Sequence, residues 1–437
     1  MNHLLEVREF EIIISNPDYK TEYAYLPDDI FGSLEDFIHE YTNAEGGSDA
    51  LEFMKVGYKR NLGRTISVNN YVGLIQMKNG YQIEVLPKID LSDDDSNIET
   101  KKVFLKMLRS MKDFPSKAFT AANLQMSKMN LYEVFINMYI QEVRKLLRHG
   151  IKSSYVVQND NLRFYKGKLD VSNHIKTNII HKERFFMNYD EYLVDRAENR
   201  IVKATLEKLG RITQSAENQK EIRQQLPAFE MVSVSHNYQK DFSKISLDRT
   251  TEDYRTLMEW SKVFLFNKSF TTFSGSTSSR SLLFPMEKVY EAYVARHMKK
   301  IFGEEGWNVS SQDKGYYLFD TPKKFALRPD IVISRNNHII VFDTKWKRLL
   351  PDPGINYGIN QGDMYQMYAY SKKYSNSNAG KPIDVILLYP QTKEMKDRYD
   401  ISYTSEDCVK VKVFFIDVAD IENSLRNLLD YIKINEE

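Results

Sequence analysis

Two apolar stretches in the last third of the chain constrain the fold most, because each carries charged residues where the surrounding pattern predicts a buried strand. Residues 325–334 contain Asp330, and residues 339–346 contain Asp343 and Lys345; both stretches are rich in Ile, Val and Phe. A short segment with two adjacent asparagines separates them, and Asn tolerates the left-handed backbone of a tight turn. The sequence therefore predicts an antiparallel hairpin.

The register of this hairpin brings the charged residues together. Centring the turn between Asn336 and Asn337 places Asp330 directly opposite Asp343, with their Cβ atoms roughly 4.5–5.5 Å apart. Side chains alternate along a strand, so Asp343 and Lys345 share one face. Three charged groups are thus predicted to converge on one spot of an apolar hairpin.

Two opposed carboxylates destabilise a strand pair unless a cation compensates them. Mg²⁺ prefers a site of one or two carboxylates completed by waters and phosphate oxygens. Such an ion lowers the pKa of bound water and neutralises charge that builds up on a phosphate. Lys345 would steady that charge and orient or help to deprotonate the attacking water. The pattern therefore favours Mg²⁺-dependent phosphodiester hydrolysis with Asp330, Asp343 and Lys345 as the site.

The acid-x-Lys pattern is weak by itself, because it also begins at Asp18, Glu99 and Glu394. At such positions a surface ion pair is the ordinary interpretation. Asp343 differs from them in its apolar strand and in the second aspartate across the predicted hairpin.

A predicted helix over residues 284–303 precedes the hairpin, with an apolar stripe at helical spacing. Glu287 and Glu291 lie four residues apart on one flank of that stripe. Either glutamate is solvated or reaches the metal site. His297 falls on the apolar face and is interpreted as a core histidine.

Residues 346–360 form a predicted loop beside the site, and residues 361–374 a helix after it. Asp363, Gln366 and Tyr370 fall on one side of this helix. Asp363 either caps the helix together with the neighbouring Asn360 or belongs to the site, and Gln366 is a candidate to contact substrate or water. A strand over 384–389 follows.

The fold class expected for the whole chain is α+β and multi-domain. Residues 1–120 are predicted to be β-rich, with a strand over 6–14 and a hairpin whose strands cover 71–77 and 81–86 around an Asn-Gly turn. Residues 91–100 are acidic and polar, which predicts a loop or boundary.

Residues 121–270 are predicted to form a mainly helical middle region, with a short β element within 163–171. Its helices are expected over 131–149, 189–209, 215–226 and 251–266. Residues 271–281, rich in Ser and Thr with one Gly, predict a linker, and residues 282–437 a C-terminal α/β domain.

Composition narrows the function only by exclusion. Lys plus Arg number 61 against 60 for Asp plus Glu, so a nucleic-acid surface has to come from local patches. The single Cys408 excludes an internal disulfide and a cysteine-based zinc cluster, which fits a cytoplasmic protein. Neither a signal peptide, a transmembrane stretch nor a P-loop is recognised, so no membrane or nucleotide site is expected in this chain.

The motifs together resemble the PD-(D/E)xK restriction-endonuclease-like fold and, more closely, the McrC family. In the last third, the resemblance rests on residues 286–291 (MEKVYE), 328–332 (RPDIV), 343–345 (DTK), 363–370 (DMYQMYAY) and 387–390 (LLYP). Upstream it rests on residues 71–75 (YVGLI), 83–89 (IEVLPKI), 166–170 (KGKLD), 190–192 (DEY) and 199–203 (NRIVK).

This resemblance implies a nuclease subunit of a McrBC-type, modification-dependent (5-methylcytosine) restriction system. The implied partners are DNA and McrB, a hexameric AAA+ GTPase that binds the GTP, recognises the modified DNA and is stimulated by the N-terminal part of McrC. The resemblance also implies site roles. Asp330, Asp343 and Glu291 would bind Mg²⁺, Lys345 would act on water and phosphate, and Gln366 would support the site. Glu291 is preferred to Glu287 because it follows an aromatic residue, as in the family's helix motif.

Lys59, Arg60 and Arg64 form a basic cluster before the first hairpin. They are candidates for touching the GTPase or DNA, or simply a solvated basic loop. Two further functions stay open at this stage: a stand-alone nuclease of DNA repair or phage defence, and a ring-binding activator with a secondary nuclease role.

Overall fold

The structure is a computed structural model. It describes residues 4–44, 53–77, 80–89, 97–111, 114, 129–249, 251–266, 280–336, 338–377, 383–396 and 401–434. The chain divides into two compact units: the first comprises residues 1–131 with 269–437, and the second residues 132–268. The two ends of the chain therefore belong to the same unit.

The N-terminal part of the first unit combines short strands with two helices. In chain order these are β1 (Leu4–Arg8), β2 (Ile12–Ile14), β3 (Ala24–Tyr25), α1 (Asp28–Ala44), β4 (Met54–Lys59), β5 (Gly63–Val68), β6 (Tyr71–Gln76), β7 (Gln82–Leu86) and α2 (Asn97–Leu108).

The predicted hairpin is confirmed as the antiparallel pair β6–β7. The predicted strand over 6–14 is wrong as one element. Phe10 has a left-handed φ of 66°, which ends β1 and sends β2 into a different sheet. Helices α1 and α2 were not predicted within this β-rich region.

The second unit is mainly helical. It contains most of α3 (Leu131–His149), followed by β8 (Ser154–Leu162), β9 (Lys168–Leu169), α4 (Val171–Asn178), β10 (Phe185–Leu193), α5 (Ala197–Ile212), α6 (Ala216–Gln225), α7 (Tyr238–Lys244) and α8 (Arg255–Phe266).

The predicted helix over 189–209 is wrong at its start. Residues Tyr189 to Leu193 belong to β10, which pairs with β8 over nine residues, and the helix begins only at Ala197. Strand β8 was not predicted. Because the pairing of these two strands is non-local, the local pattern did not reveal it.

The C-terminal part of the first unit supplies the largest sheet. Its elements are β11 (Arg280–Pro285), α9 (Met286–Glu304), β12 (Asn308–Ser311), β13 (Tyr317–Asp320), β14 (Lys323–Ala326), β15 (Ile331–Arg335), β16 (His338–Thr344), α10 (Gln361–Ser377), β17 (Asp384–Pro390), β18 (Ser402–Thr404), β19 (Lys410–Ile416) and α11 (Ile421–Ile434).

Six strands form this sheet in the order β12-β15-β16-β17-β19-β18. Strands β15 and β16 are antiparallel, whereas β16, β17 and β19 run parallel, with α10 packed against them. The predicted strand over 325–334 is wrong as a single element, because β14 and β15 are separated and β14 pairs with β13 in a hairpin of its own.

A second sheet joins the N-terminal and C-terminal parts. Its order is β1-β7-β6-β11, and β11 leads directly into α9. Most of the predicted linker over 271–281 lies outside the described residues, but its last two residues, Arg280 and Ser281, already belong to β11. The linker prediction is therefore wrong at its C-terminal end.

Candidate active site

The β15–β16 hairpin holds the predicted acidic residues in the predicted register. Ile331 pairs with Phe342 and Arg335 with His338. Asp330 immediately precedes β15, and the same register places it opposite Asp343. Asn336 has a φ of 49°, the left-handed conformation expected for this turn, whereas Asn337 lies outside the described residues.

Asp330 is anchored by the end of β16. Its Oδ2 accepts hydrogen bonds from the backbone N–H of Thr344 (2.7 Å) and from the Thr344 hydroxyl (2.6 Å). Burial raises the pKa of Asp330, although the two Thr344 donors and the charge of Lys345 oppose that shift. Asp330 is therefore a fixed and costly negative charge.

Asp343 in β16 and Lys345, which directly follows that strand, form an ion pair. Lys345 Nζ lies 2.6 Å from Asp343 Oδ2, and Asp343 is only 2% exposed. Burial, followed by the negative charge of Asp330, raises the pKa of Asp343 to about 6. The backbone N–H of Lys345 donates to Leu388 O at 2.9 Å, which continues the strand pairing and holds the lysine at the site.

The ammonium group of Lys345 has three polar neighbours. Besides Asp343, its Nζ contacts Gln366 Oε1 at 3.1 Å and Asp363 Oδ1 at 3.5 Å. Burial favours the neutral amine, but these carboxylates and Asp330 outweigh it and raise the pKa of Lys345. The lysine is therefore positively charged at neutral pH.

Gln366 links α10 to the strand pair. Its Oε1 accepts from Lys345, while its Nε2 donates to the Tyr370 hydroxyl at 2.6 Å and lies 3.5 Å from Asp343 Oδ1. The amide is oriented by these contacts, with its oxygen directed at the lysine.

Glu291 reaches the same cluster from α9. Its pKa is raised to about 7 by burial first, and then by the negative charges of Asp330 and Asp343. Gln312 Nε2 donates to Glu291 Oε1. Glu287 is exposed, so of the two glutamates it is Glu291 that interacts with the aspartates.

The roles of several residues of the cluster were not identified from the sequence, or were left undecided. Asp363 was left open between capping and site, and its carboxylate pairs with Lys347 at 3.0 Å, while Asn360 Oδ1 caps the helix by accepting from Gly362 N at 2.7 Å. Thr344, Lys347 and Gln312 had no sequence signal, since their roles depend on how separate elements pack.

The donor set fits a divalent cation only if other ligands complete it. In the part of the chain that the structure describes, no group of three or more His, Cys, Asp or Glu side chains is close enough to hold an ion. Asp330 and Asp343 are nevertheless buried carboxylates with raised pKa values, the electrostatic condition that a cation relieves. Two such ligands with waters and a phosphate are typical of Mg²⁺.

The basic residues predicted for partner or DNA contact lie elsewhere. Lys59 and Arg60 are exposed at the end of β4, in the sheet β3-β2-β5-β4. Arg64 is held on α1, where its guanidinium pairs with Asp28 and Glu35 at 2.7 Å each. The structure therefore does not place these three residues in the acid–lysine cluster.

No helix among the described residues is long and apolar enough to cross a membrane.

These features define a mixed α+β protein with a buried acid–lysine cluster at the end of a hairpin in its six-stranded sheet. The chain belongs to the family described as McrBC 5-methylcytosine restriction system component, whose model matches residues 66–390. The resemblance to the McrBC system drawn from the sequence motifs is thereby confirmed.

One solved structure has a similar fold. A chain of the tetradecameric assembly of Thermococcus gammatolerans McrB AAA+ hexamers with bound McrC is similar over 98% of this chain and 100% of that chain, with a TM-score of 0.71 and 19% identity. The T. gammatolerans McrBC complex matches less extensively, over 67% of this chain and 86% of that chain, with a TM-score of 0.49 and 20% identity. No curated protein matches.

Proposed function

We propose that this chain is the Mg²⁺-dependent DNA endonuclease subunit of a McrBC-like restriction complex. It would act in the cytoplasm, cleave methylated foreign DNA when assembled with a McrB-like AAA+ GTPase hexamer, and stimulate GTP hydrolysis by that partner. The observation that carries the proposal is the buried cluster of Asp330, Asp343, Lys345 and Gln366, which has the composition and sequence order of a PD-(D/E)xK nuclease site.

The three acidic residues are the proposed metal ligands. Asp330 and Asp343 would hold Mg²⁺ directly, and Glu291, which does not form a three-carboxylate group with them in the structure, would join them as a third carboxylate when the ion binds. When bound, the ion supplies a Lewis acid that lowers the pKa of water and neutralises charge on the phosphate. Thr344 serves this site by fixing the orientation of Asp330 through two hydrogen bonds.

Lys345 is proposed to stabilise negative charge on the reacting phosphate. Its ammonium group is charged and held by Asp343, Gln366 and Asp363, so little reorganisation is needed when a phosphate arrives. A raised pKa makes proton abstraction by this lysine unfavourable in the free protein. Of the two roles anticipated for Lys345, the cluster favours charge stabilisation.

Glu291 has the more suitable pKa for moving a proton. At a pKa of about 7, its carboxyl group is partly protonated at neutral pH, because burial, and then repulsion by Asp330 and Asp343, disfavours its charge. A cation or a deprotonated water nearby changes that balance readily. Glu291 therefore either completes the metal site or accepts a proton from the attacking water.

The partner is proposed from the family and from the related assembly. The similar chain comes from an assembly of McrB AAA+ hexamers with bound McrC. Within that division of labour the GTP is bound by the partner, and this chain contributes the acid–lysine cluster that cuts.

Cleavage of methylated and unmethylated plasmid with the partner, GTP and Mg²⁺ tests the proposal. Cutting of methylated plasmid that requires both proteins and is lost in Asp343→Ala is the expected result. Equal cutting without the partner would instead indicate a stand-alone nuclease. Stimulated GTP hydrolysis without any cutting would indicate an activator, and cutting by Asp343→Ala would refute the assigned site.

A further inference from the structure

The β13–β14 hairpin stands outside the six-stranded sheet and is unusually exposed. Leu318, Phe319 and Phe325 are 38%, 54% and 72% exposed. Residues 318–326 are all classed as exposed, so this hairpin has no apolar core of its own. Large aromatic side chains in such a position are typical of surfaces that bind something.

A strained backbone brings the two phenylalanines together. Strand alternation places Phe319 on the same face as its partner Lys324, and Phe325 on the opposite face. Phe325 instead has a φ of 57°, which is costly for a bulky residue, and its ring centroid lies 5.9 Å from that of Phe319. The hairpin thus holds an exposed aromatic pair at the expense of local strain.

The same hairpin and its flanks carry an excess of positive charge. Lys314, Lys323, Lys324 and Arg328 are exposed. The hairpin's own acidic residue, Asp320, is paired with Lys373 at 2.7 Å. Between residues 313 and 328, these four basic side chains outnumber the two acidic ones, Asp313 and Asp320, so the net positive charge makes the surface complementary to a polyanion.

The base of the hairpin is fastened to the helix that serves the acid–lysine cluster. Tyr316 packs on Tyr374 with ring centroids 4.3 Å apart, and the Tyr374 hydroxyl donates to Asp313 Oδ2 at 2.5 Å. Tyr374 lies eight residues after Gln366 on the same face of α10. The two residues are therefore about 12 Å apart along the helix axis. The hairpin also precedes Asp330 by only a few residues.

We propose that the β13–β14 hairpin is a DNA-binding element beside the cleavage site. Lys323 and Lys324 would contact phosphates of the duplex, and the Phe319–Phe325 pair would pack against the sugars or bases of the groove edge. The inference rests on the proposed nuclease function, since it identifies where the substrate lies relative to that site. The separation of about 12 Å along α10 between Gln366, at the cluster, and Tyr374, at the base of the hairpin, corresponds to three or four base pairs of a duplex at 3.4 Å per step.

Salt-dependent binding of the full chain to a 30-base-pair duplex, in EDTA, tests the role of the lysines. In Lys323→Gln/Lys324→Gln, the slope of log affinity against log salt is expected to fall by about 2, because each lost phosphate contact removes about 0.9. The matched control, Lys299→Gln/Lys410→Gln, removes two exposed lysines away from the hairpin. Lys299 lies in α9, and Lys410 begins β19, at the end of the parallel strands opposite to the acid–lysine cluster. It should keep the wild-type slope.

The phenylalanines are tested by affinity at one salt concentration. Phe325→Gly is expected to weaken binding about tenfold with an unchanged salt slope, because it removes an aromatic contact but no charge. The same change relieves the left-handed strain, so its thermal unfolding midpoint should not fall. A weaker affinity together with an intact fold separates binding from folding.

Three results would overturn the inference. The first is a wild-type chain that does not bind the duplex even at low salt, and the second is a hairpin variant with the wild-type slope. The third is a hairpin variant that binds DNA normally but no longer associates with the GTPase, which would assign the hairpin to a protein partner. Binding in EDTA needs no cleavage, so failure of the nuclease proposal is seen separately, as a wild-type protein that binds DNA and does not cut it.

Discussion

At the scale of single residues, the buried carboxylates of the acid–lysine cluster repel one another. Burial and mutual repulsion raise the pKa of Asp343 to about 6 and that of Glu291 to about 7. Lys345 offsets part of this cost through its ion pair with Asp343. A site of this kind is less stable than its surroundings until a cation or a phosphate complements it.

The two glutamates of α9 provide a matched pair of variants. Glu291→Gln is expected to lower DNA cleavage by about 10²-fold or more, because it removes a carboxylate whose charge interacts with both aspartates. Glu287→Gln changes an exposed side chain one helical turn earlier and should cut like the wild type. Plasmid cleavage rates measured with the partner and GTP compare them. Equal rates for the two variants would remove Glu291 from the site.

The stability of the protein should depend on pH and Mg²⁺ together. A carboxyl group with a raised pKa contributes stability that is complete below its unfolded value near 4 and is lost as pH rises through its folded value. For Asp343 and Glu291 this loss falls between about pH 4 and pH 7 in the absence of a cation. Mg²⁺ competes with protons for these groups, so it should raise the thermal unfolding midpoint more at pH 8 than at pH 5.

The size of that gain follows from mass action. At a Mg²⁺ concentration about 100 times Kd, binding stabilises the native state by about 2.7 kcal/mol. Asp343→Asn, which removes one proposed ligand and one repelling charge, should lose most of the Mg²⁺ response. An equal response at both pH values would mean that the ion binds elsewhere.

Sequence reasoning found those site residues whose positions follow from strand periodicity. Asp330, Asp343 and Lys345 are related by one hairpin, so alternation and register were enough to bring them together. Thr344 and Asp363 were missed or left undecided. Their contacts depend on a side-chain hydrogen bond across the hairpin and on how α10 packs on the sheet.

At the scale of elements, the β6–β11 pair connects the N-terminal sheet to the helix that carries Glu291. Gly73 in β6 has a φ of +144°, and a Cβ atom there would lie 1.8 Å from the backbone oxygen of Leu282 in β11. The close approach of the two strands therefore requires glycine at this position.

Gly73→Ala is expected to destabilise the protein by at least about 2–4 kcal/mol, because a backbone atom blocks the added methyl group. Cleavage should fall with stability, since β11 continues directly into α9. Gly32→Ala is the control: its Cβ would meet nothing within 4 Å, and alanine favours helix α1 by about 0.5–1 kcal/mol. Chemical denaturation measures both free energies, and similar values for the two variants would contradict the role of Gly73.

The elements that were predicted correctly are those whose apolar residues recur at a regular spacing along the sequence. Helices α3, α6, α8, α9 and α10 and the strand β17 fall within a few residues of their predicted limits. Strands β8, β10 and β11 were misassigned or missed, since each owes its structure to a partner strand far away in the sequence or across a turn. Local propensity is overridden by such pairing.

At the scale of the whole molecule, a buried contact joins the residue that follows β1 to the residue that follows Lys345. The indole N–H of Trp346 lies 3.1 Å from both carboxylate oxygens of Glu9, which is fully buried. Burial raises the pKa of Glu9 to about 8. By the same linkage, the stability associated with protonated Glu9 is lost between about pH 4.5 and pH 8.

Glu9→Gln should therefore stabilise the protein at pH 8–9 and have little effect at pH 5, because glutamine accepts a hydrogen bond from Trp346 without carrying a charge. Glu22→Gln, at an exposed position, should leave the profile unchanged. Thermal unfolding midpoints at pH 5 and pH 9 provide the comparison. A variant that is destabilised at both values would show that the ionised carboxylate is needed.

The division into two units has a consequence for how the chain unfolds. Residues 132–268 form one compact unit, whereas the N-terminal and C-terminal parts share a sheet through β6 and β11 and a buried contact through Glu9 and Trp346. The sequence predicted a C-terminal domain over residues 282–437. Expressed alone, that segment would leave β11 without its partner strand and Trp346 without its acceptor, so we expect it not to fold.

Calorimetry of the full chain should show two transitions, because domains with separate cores unfold as separate cooperative units. An excised fragment of residues 129–268 should reproduce one of them. Gly73→Ala should lower only the other, since Gly73 lies in the first unit. Residues 1–131 and 269–437, produced as two chains, should associate and recover that same transition together. A stable fold of residues 282–437 alone would contradict this account and would show that the shared sheet adds contact but not stability.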